Sequence, residues 1–148
     1  MKQIYSALLA GFGAFLSIAI LGYAEIEMAN IVLLMAPFGA TAVLVFGIPN
    51  SPLAQPKNVI FGHFITAFIG VCFVQFVGVG AFSMALATGL AVSAMLVTKT
   101  THPPAGANPL LIMLTGQSWA FLLTPVLLGA CAIVLLGMLM KRISLRLQ

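Results

Sequence analysis

Twice in this chain a helix-breaking phrase interrupts sequence apolar enough to lie inside a membrane. Pro37-Phe38-Gly39-Ala40-Thr41 and Pro104-Ala105-Gly106-Ala107-Asn108 share the pattern Pro-x-Gly-Ala followed by a small polar residue. Proline removes a backbone donor and glycine weakens a helix, so neither stretch reads as a continuous span. Interrupted spans at matching places in two halves of a membrane protein point to a binding site near the bilayer midplane.

That the surroundings are membrane follows from charge. Only 5% of the 148 residues are charged and 62% are hydrophobic, with mean hydropathy +1.20. A soluble domain carries roughly 25% charged residues, so this chain has lipid as its solvent. One domain, residues 1–148, is expected. The net charge of +4 does not describe a nucleic-acid face. Lys2, Lys57, Lys99, Lys141, Arg142 and Arg146 all stand at the edges of apolar runs, where they act as topology signals. Cys72 and Cys131 read as buried, inert thiols without a disulfide.

The apolar runs are Ile4–Tyr23, Met28–Gly47, Asn58–Gly78, Phe82–Thr98, about Ala105 to Gly116, and Trp119–Met140. The first reads as an uncleaved span, because it is longer than the roughly 7–15-residue core of a signal peptide. All but the fifth reach the roughly 17 residues a crossing helix needs. If all six cross from a cytoplasmic N-terminus, every basic residue lies inside and Glu25 and Glu27 lie outside. The fifth can cross if its first half is extended. Pro103 to Ala107 would reach about 16 Å at ~3.3 Å per residue, and helix Pro109–Gly116 would add about 12 Å at ~1.5 Å per residue. The expected fold is an all-α membrane protein of six segments. Its halves, about 1–80 and 81–148, form a 3+3 inverted repeat whose second and fifth segments are broken.

In this reading Thr41 and Asn108 cap helices that start at the breaks, and Pro109 sits at the first helical position. Two helix N-termini then face each other across a cavity. Gly39, Ala40, Gly106 and Ala107 leave room for a guest there, so a small anion suits the site. Internally capped packing kinks are the plainer alternative. His102, held extended by Pro103, joins the site. His63, one turn inside the third span, shares a face with Thr66 and Gly70. Either histidine binds or relays a proton, or is a neutral ring satisfied by backbone. Two histidines without a nearby carboxylate make no metal site, and no cofactor is expected. Gln55, Lys57 and Asn58, with Lys99, form the entrance, with the lysines raising local anion concentration or serving as topology signals. Gln75 is expected deep in span three in a helix–helix hydrogen bond. Glu25 and Glu27 are expected in water, and Trp119 at the membrane interface. Small residues four apart (Ser6, Ala10, Ala14; Thr66, Gly70; Ala85, Gly89, Ser93) mark close helix packing, compatible with a homodimer or higher homo-oligomer.

His102-Pro103-Pro104-Ala105-Gly106-Ala107 resembles the signature of the HPP family of small integral membrane proteins. Ala36 to Ala40, and Ser51 to Asn58 followed by Gly62-His63, are similar to that family's other motifs, and the match runs in order over nearly the whole chain. The family is usually described with about four spans, fewer than the six segments here. Some of its members carry additional soluble domains. Members in chloroplasts and cyanobacteria are associated with nitrite transport. The resemblance therefore implies a transporter or channel for a small monovalent anion, nitrite first. Asn108-Pro109 departs from the threonine and non-proline expected there, which bears on substrate identity. Two rivals stand beside it: a structural subunit of a membrane complex, and an intramembrane enzyme using His102 and His63. The expected location is a bacterial inner membrane with both termini cytoplasmic.

Overall fold

The computed structural model describes residues 2–28 and 31–146, with nothing described of the side chains of Lys2 and residues 144–146. Ala29 and Asn30, at the start of the expected second span, lie outside the described residues, as do the side chains of Lys2 and Arg146. The described chain is helical and without strands.

Helix α1, Lys2–Glu27, has no proline to stop it and no acidic residue in its first turn. The chain then runs extended over 31–35. Glu25 holds this stretch: its Oε2 accepts from the Leu33 and Leu34 N–H groups, 2.8 Å each. A carboxylate that satisfies two loop donors does not simply face water as expected.

Helix α2, Pro37–Ala42, starts with proline at its first position and widens into a π-turn at Val43–Gly47. A short 3-10 turn, Pro52–Ala54, is capped by Ser51, whose Oγ accepts from the Leu53 N–H. Pro56 opens α3, Pro56–Phe76. Gly78, at φ 94°, closes it by donating to the Phe73 carbonyl, a left-handed stop that glycine adopts without penalty.

Helix α4, Ala81–Val97, begins where Ser83 Oγ accepts from the Gly80 N–H. It ends at Lys99, which takes φ 54° so that Thr100 N–H reaches the Met95 carbonyl. A 3-10 stretch, Pro103–Ala107, leads into α5, Asn108–Thr115. The last segment is broken too. A 3-10 turn, Trp119–Leu122, and a π-turn, Leu123–Leu127, precede α6, Leu128–Arg146, and Thr124 inside them has extended backbone. Pro125 lacks the backbone donor of an unbroken helix and favours extended geometry at Thr124, a break not expected from the apolar run.

Three stretches are long and apolar enough to cross a membrane: Gln3–Glu27, Pro56–Phe76 and Trp119–Ile143. Pro37–Gly47 and Ala81–Val97 are shorter apolar helices. Large apolar side chains cover the outside, such as Phe15 at 66%, Phe82 at 82% and Leu135 at 66% exposure. Such a surface belongs in lipid. The chain is an all-α membrane protein.

Helix α3 is the axis, packed by α4, α5, α6 and the 3-10 stretch before α5. Glycines set the approach distances. Gly70 meets Pro109 and Ile112 of α5. Gly129 of α6 receives the Phe38 ring, and Gly137 receives Val45. A single methyl at either α6 position would collide with those side chains. Phe38, Val59, Val71, Ile112, Val126 and Ile133 form the fully buried apolar core. Cys72 and Cys131 are half-buried free thiols.

Candidate functional site

Both histidines lie in the interior, and they meet. His63 and His102 are completely buried, with ring centroids 5.0 Å apart. Thr41 Oγ1 stands between them, 2.8 Å from His63 Nε2 and 3.0 Å from His102 Nε2. On the other edge of the His63 ring, Asn108 Nδ2 lies 3.0 Å from Nδ1. The same amide nitrogen reaches the His63 carbonyl and Thr66 Oγ1, each at 3.0 Å. His102 Nδ1 is 2.7 Å from the Leu53 carbonyl. Phe38 packs edge-on against His63 at 5.3 Å.

Each member arrives for a local reason. Thr41 lies one turn inside α2, with its hydroxyl 3.1 Å from the Pro37 carbonyl. Asn108 is the first residue of α5, where Pro104 and Ala105 are buried beneath it in sequence. His102 keeps φ −138° and ψ 98°, the extended geometry that a following proline favours. Its approach to α3 depends on Gly62. A Cβ there would sit 2.9 Å from His102 Cβ and from the Thr100 carbonyl. Thr66 donates to the Gly62 carbonyl at 2.8 Å, leaving its oxygen free to accept from Asn108.

The structure corrects the capping scheme. α2 starts at Pro37, not near Thr41, and Thr41 makes no cap. Asn108 has helical dihedrals, and the helical Ala107 precedes it, so its side chain is not an N-cap either. Both polar residues turn inward to His63 instead. The His63 ring stands between Thr41 and Asn108. Three clefts, of about 280, 320 and 400 Å³, lie away from the two histidines; Gln55 lines the second, and Gly39 lines the third with Phe15 and Ile18.

Gly39, Ala40 and Ala107 are exposed and Gly106 half-buried, on the outer side of their segments. A Cβ at Gly39 or Gly106 meets no atom within 4 Å, and neither has a positive φ. They therefore do not line the buried cluster, and glycine geometry is not required of them.

The expected entrance residues divide. Gln55 ties its own loop by donating to the Ser51 and Pro49 carbonyls at 2.9 and 3.3 Å. Asn58 donates to the Thr101 carbonyl at 2.9 Å, joining the start of α3 to the segment after α4. Lys57 and Lys99 are exposed. The 320 Å³ cleft adds residues that sequence reading did not place there: Lys141 and Arg142 line it beside Pro49, Ala54 and Gln55. Pro56, the neighbour of Lys57, lines the same cleft, and the Asn58–Thr101 bond brings the segment after Lys99 to the start of α3, so the four basic residues belong to segments that meet at one end of the bundle. Gln75 is exposed next to the last residue of α3, not deep in a helix contact. Trp119 lies against Phe68 and Phe76, at 5.8 and 6.3 Å. Among the described residues no group of three or more His, Cys, Asp or Glu could hold a metal.

Thr66, Phe38 and the Leu53 carbonyl were not foreseen as site members. Thr66 was visible as the residue one turn from His63; a backbone carbonyl leaves no signal in sequence.

The family described as HPP, transmembrane region, matches residues 1–148. Two transmembrane proteins of Dictyostelium discoideum are 36% and 33% identical over 152 residues, covering 97% of this chain. The alignments cover 53% and 49% of those relatives, so the chain spans about half their length. No solved structure matches it.

Proposed function

The chain belongs to the HPP transmembrane family, and on that premise we propose that it moves a small monovalent anion, nitrite first, across the membrane. One observation carries the reading: two interrupted apolar segments bring Thr41, His102 and Asn108 onto His63 in the fully buried centre. Buried ionisable groups in membrane segments are expensive, and they mark ion and substrate pathways. Helix packing alone asks for neither two imidazoles nor an amide.

The proposed topology has six crossings with both termini on the cytoplasmic side. The clustering of Lys57, Lys99, Lys141 and Arg142 at one end supports it. Correspondence of Thr41 with Asn108 supports the 3+3 repeat. The cleft beside Lys141 and Arg142 is the entrance in this scheme, because cationic walls concentrate anions. The anion then passes the Leu53 turn toward His102. The described conformation is the closed one, with the cluster sealed.

The sealing also favours a second reading, a structural subunit in which the cluster only locks helices together. Uptake of nitrite into liposomes holding this protein alone decides between them. Transport predicts nitrite flux in the parent and its loss in His102→Ala that remains folded. No flux in the folded parent points to the structural role.

A further inference from the structure

We propose that Thr41 is a proton-relay residue in an ordered string of hydrogen bonds, Asn108–His63–Thr41–His102–Leu53, which couples proton movement to the anion. This inference rests on the transport reading above.

The order of the string follows from donor and acceptor counting. The Leu53 carbonyl can only accept, so His102 Nδ1, 2.7 Å away, carries the hydrogen. In a neutral ring the other nitrogen is then bare. His102 Nε2 accepts from Thr41, whose hydroxyl is 3.0 Å away. Thr41 has one hydrogen, for which the Pro37 carbonyl at 3.1 Å competes; giving it to His102, whose bare Nε2 needs a donor, leaves the Thr41 oxygen to accept from His63 Nε2 at 2.8 Å. His63 Nδ1 is therefore bare and accepts from the Asn108 amide at 3.0 Å. The amide orientation is fixed independently. Asn108 Nδ2 also faces the His63 carbonyl, which an amide oxygen could not satisfy. Every link lies within the reach of about 2.6–3.2 Å that proton transfer needs.

In this arrangement the string is polarised from His63 to His102. When the sealed cluster opens to water on the Asn108 side, a proton bonds to His63 Nδ1. The Nε2–H bond of His63 then breaks as its proton passes to Thr41. The Thr41 hydrogen passes to His102 Nε2, and the Nδ1 proton of His102 leaves to water at the Leu53 turn. One proton enters, one leaves, and the net charge is unchanged. Passage inverts every bond of the string, so a second proton follows only after both rings and the Thr41 hydroxyl turn back, and the proton gradient sets the direction of net flow.

A second, independent observation is the carbonyl oxygen of the Asn108 side chain. It is buried and has no hydrogen-bond partner among the described residues. An orphaned buried acceptor is costly and asks for a purpose. The oxygen is an open acceptor on the residue that meets His63 Nδ1, the end of the string where the proton enters. The Pro37 carbonyl, 3.1 Å from Thr41 Oγ1, takes the hydroxyl while the string resets. No charged side chain bonds either ring among the described residues, so the two imidazoles and Thr41 are the only groups that move the proton.

Two measurements test the proposal. The first needs no transport: 15N spectra of the histidines in the parent protein in lipid nanodiscs, assigned with His63→Gln and His102→Gln. The expected tautomers are Nδ1–H at His102 and Nε2–H at His63. The opposite tautomer at either ring overturns the string. The second follows lumenal pH in liposomes under a nitrite gradient. Thr41→Val, which keeps the shape and drops the hydroxyl, should slow proton movement by about tenfold or more. Thr41→Ser should restore it. Parent-like proton movement in Thr41→Val overturns the relay. If Thr41→Val does not fold, a Thr41→Ser variant that folds and moves nitrite without protons overturns it equally. Absence of nitrite flux in a parent with the expected tautomers removes the transport reading, not the order of the string.

Discussion

Thr41 and Asn108 occupy the same place in the two copies of one phrase, and they hold opposite nitrogens of a single imidazole, that of His63. Neither caps a helix. The phrase works by delivering a polar side chain inward while its glycine and alanine face out.

Asn108→Ala removes the donor to His63 Nδ1, the His63 carbonyl and Thr66. It also removes the orphaned Oδ1, which offsets part of the loss. A net destabilisation of about 1–3 kcal/mol is expected. Denaturant unfolding in detergent micelles measures it, and a change near zero would mean that the amide is not holding α5 to α3.

Gly62→Ala places a methyl against His102 and the Thr100 carbonyl. Backbone cannot give way as a flexible side chain can, so about 1–3 kcal/mol of stability should be lost. The His102 tautomer signal should shift as well. An unchanged spectrum and unfolding curve would contradict the close approach.

Gly39→Ala and Gly106→Ala should keep stability or raise it by up to about 1 kcal/mol, because a Cβ at either place meets open space and alanine favours helix. Thermal unfolding of each purified variant reads this directly. If nitrite flux falls in a variant of normal stability, the outer face of the two phrases matters through something that covers it.

Glu25→Gln weakens the hold on the stretch 31–35. Bonds to a charged acceptor contribute about 1.5–3 kcal/mol each, against about 0.5–1.5 for neutral ones. Hydrogen exchange at the Leu33 and Leu34 amides should quicken, while amides in α3 keep their protection. Equal protection in parent and variant would remove Glu25 from this role.

Lys141→Gln should slow anion entry more at ~0.01 M salt, where the Debye length is about 30 Å, than at ~0.15 M, where it is about 8 Å. The initial rate of nitrite uptake at both salt levels checks it. A loss independent of salt would assign Lys141 a structural part instead.

The apolar segments were legible because hydropathy over some twenty residues depends on composition alone. Helix α3 starts two residues before the expected Asn58, at Pro56, and α4 starts one residue before the expected Phe82, at Ala81. The positions of trouble were legible too, since proline and glycine act locally. Their consequences were not. Whether Thr41 caps α2 or points into the bundle depends on where the helix begins, and Pro37 moved that start by a turn. The kink at Thr124 was missed because Pro125 lies in an otherwise unbroken apolar run. His63 and His102 could be suspected singly. Their meeting through Thr41 depends on how α2, α3 and the Pro103–Ala107 stretch cross, and one chain's local pattern does not contain that.

The contact from His102 to the Leu53 carbonyl is made by an atom that every amino acid possesses. Position 53 can therefore change its side chain and keep the bond. What must persist is the shape of the turn, which depends on Ser51 and Pro52 instead. A substitution scan would find position 53 permissive and its neighbours sensitive, and would miss the atom that joins the buried histidines to the basic end of the protein. Swapping the Leu53–Ala54 amide for an ester weakens that carbonyl as an acceptor and leaves every side chain in place, at the cost of the Ala54 N–H bond to the Ser51 carbonyl, so backbone chemistry can reach what a side-chain library cannot.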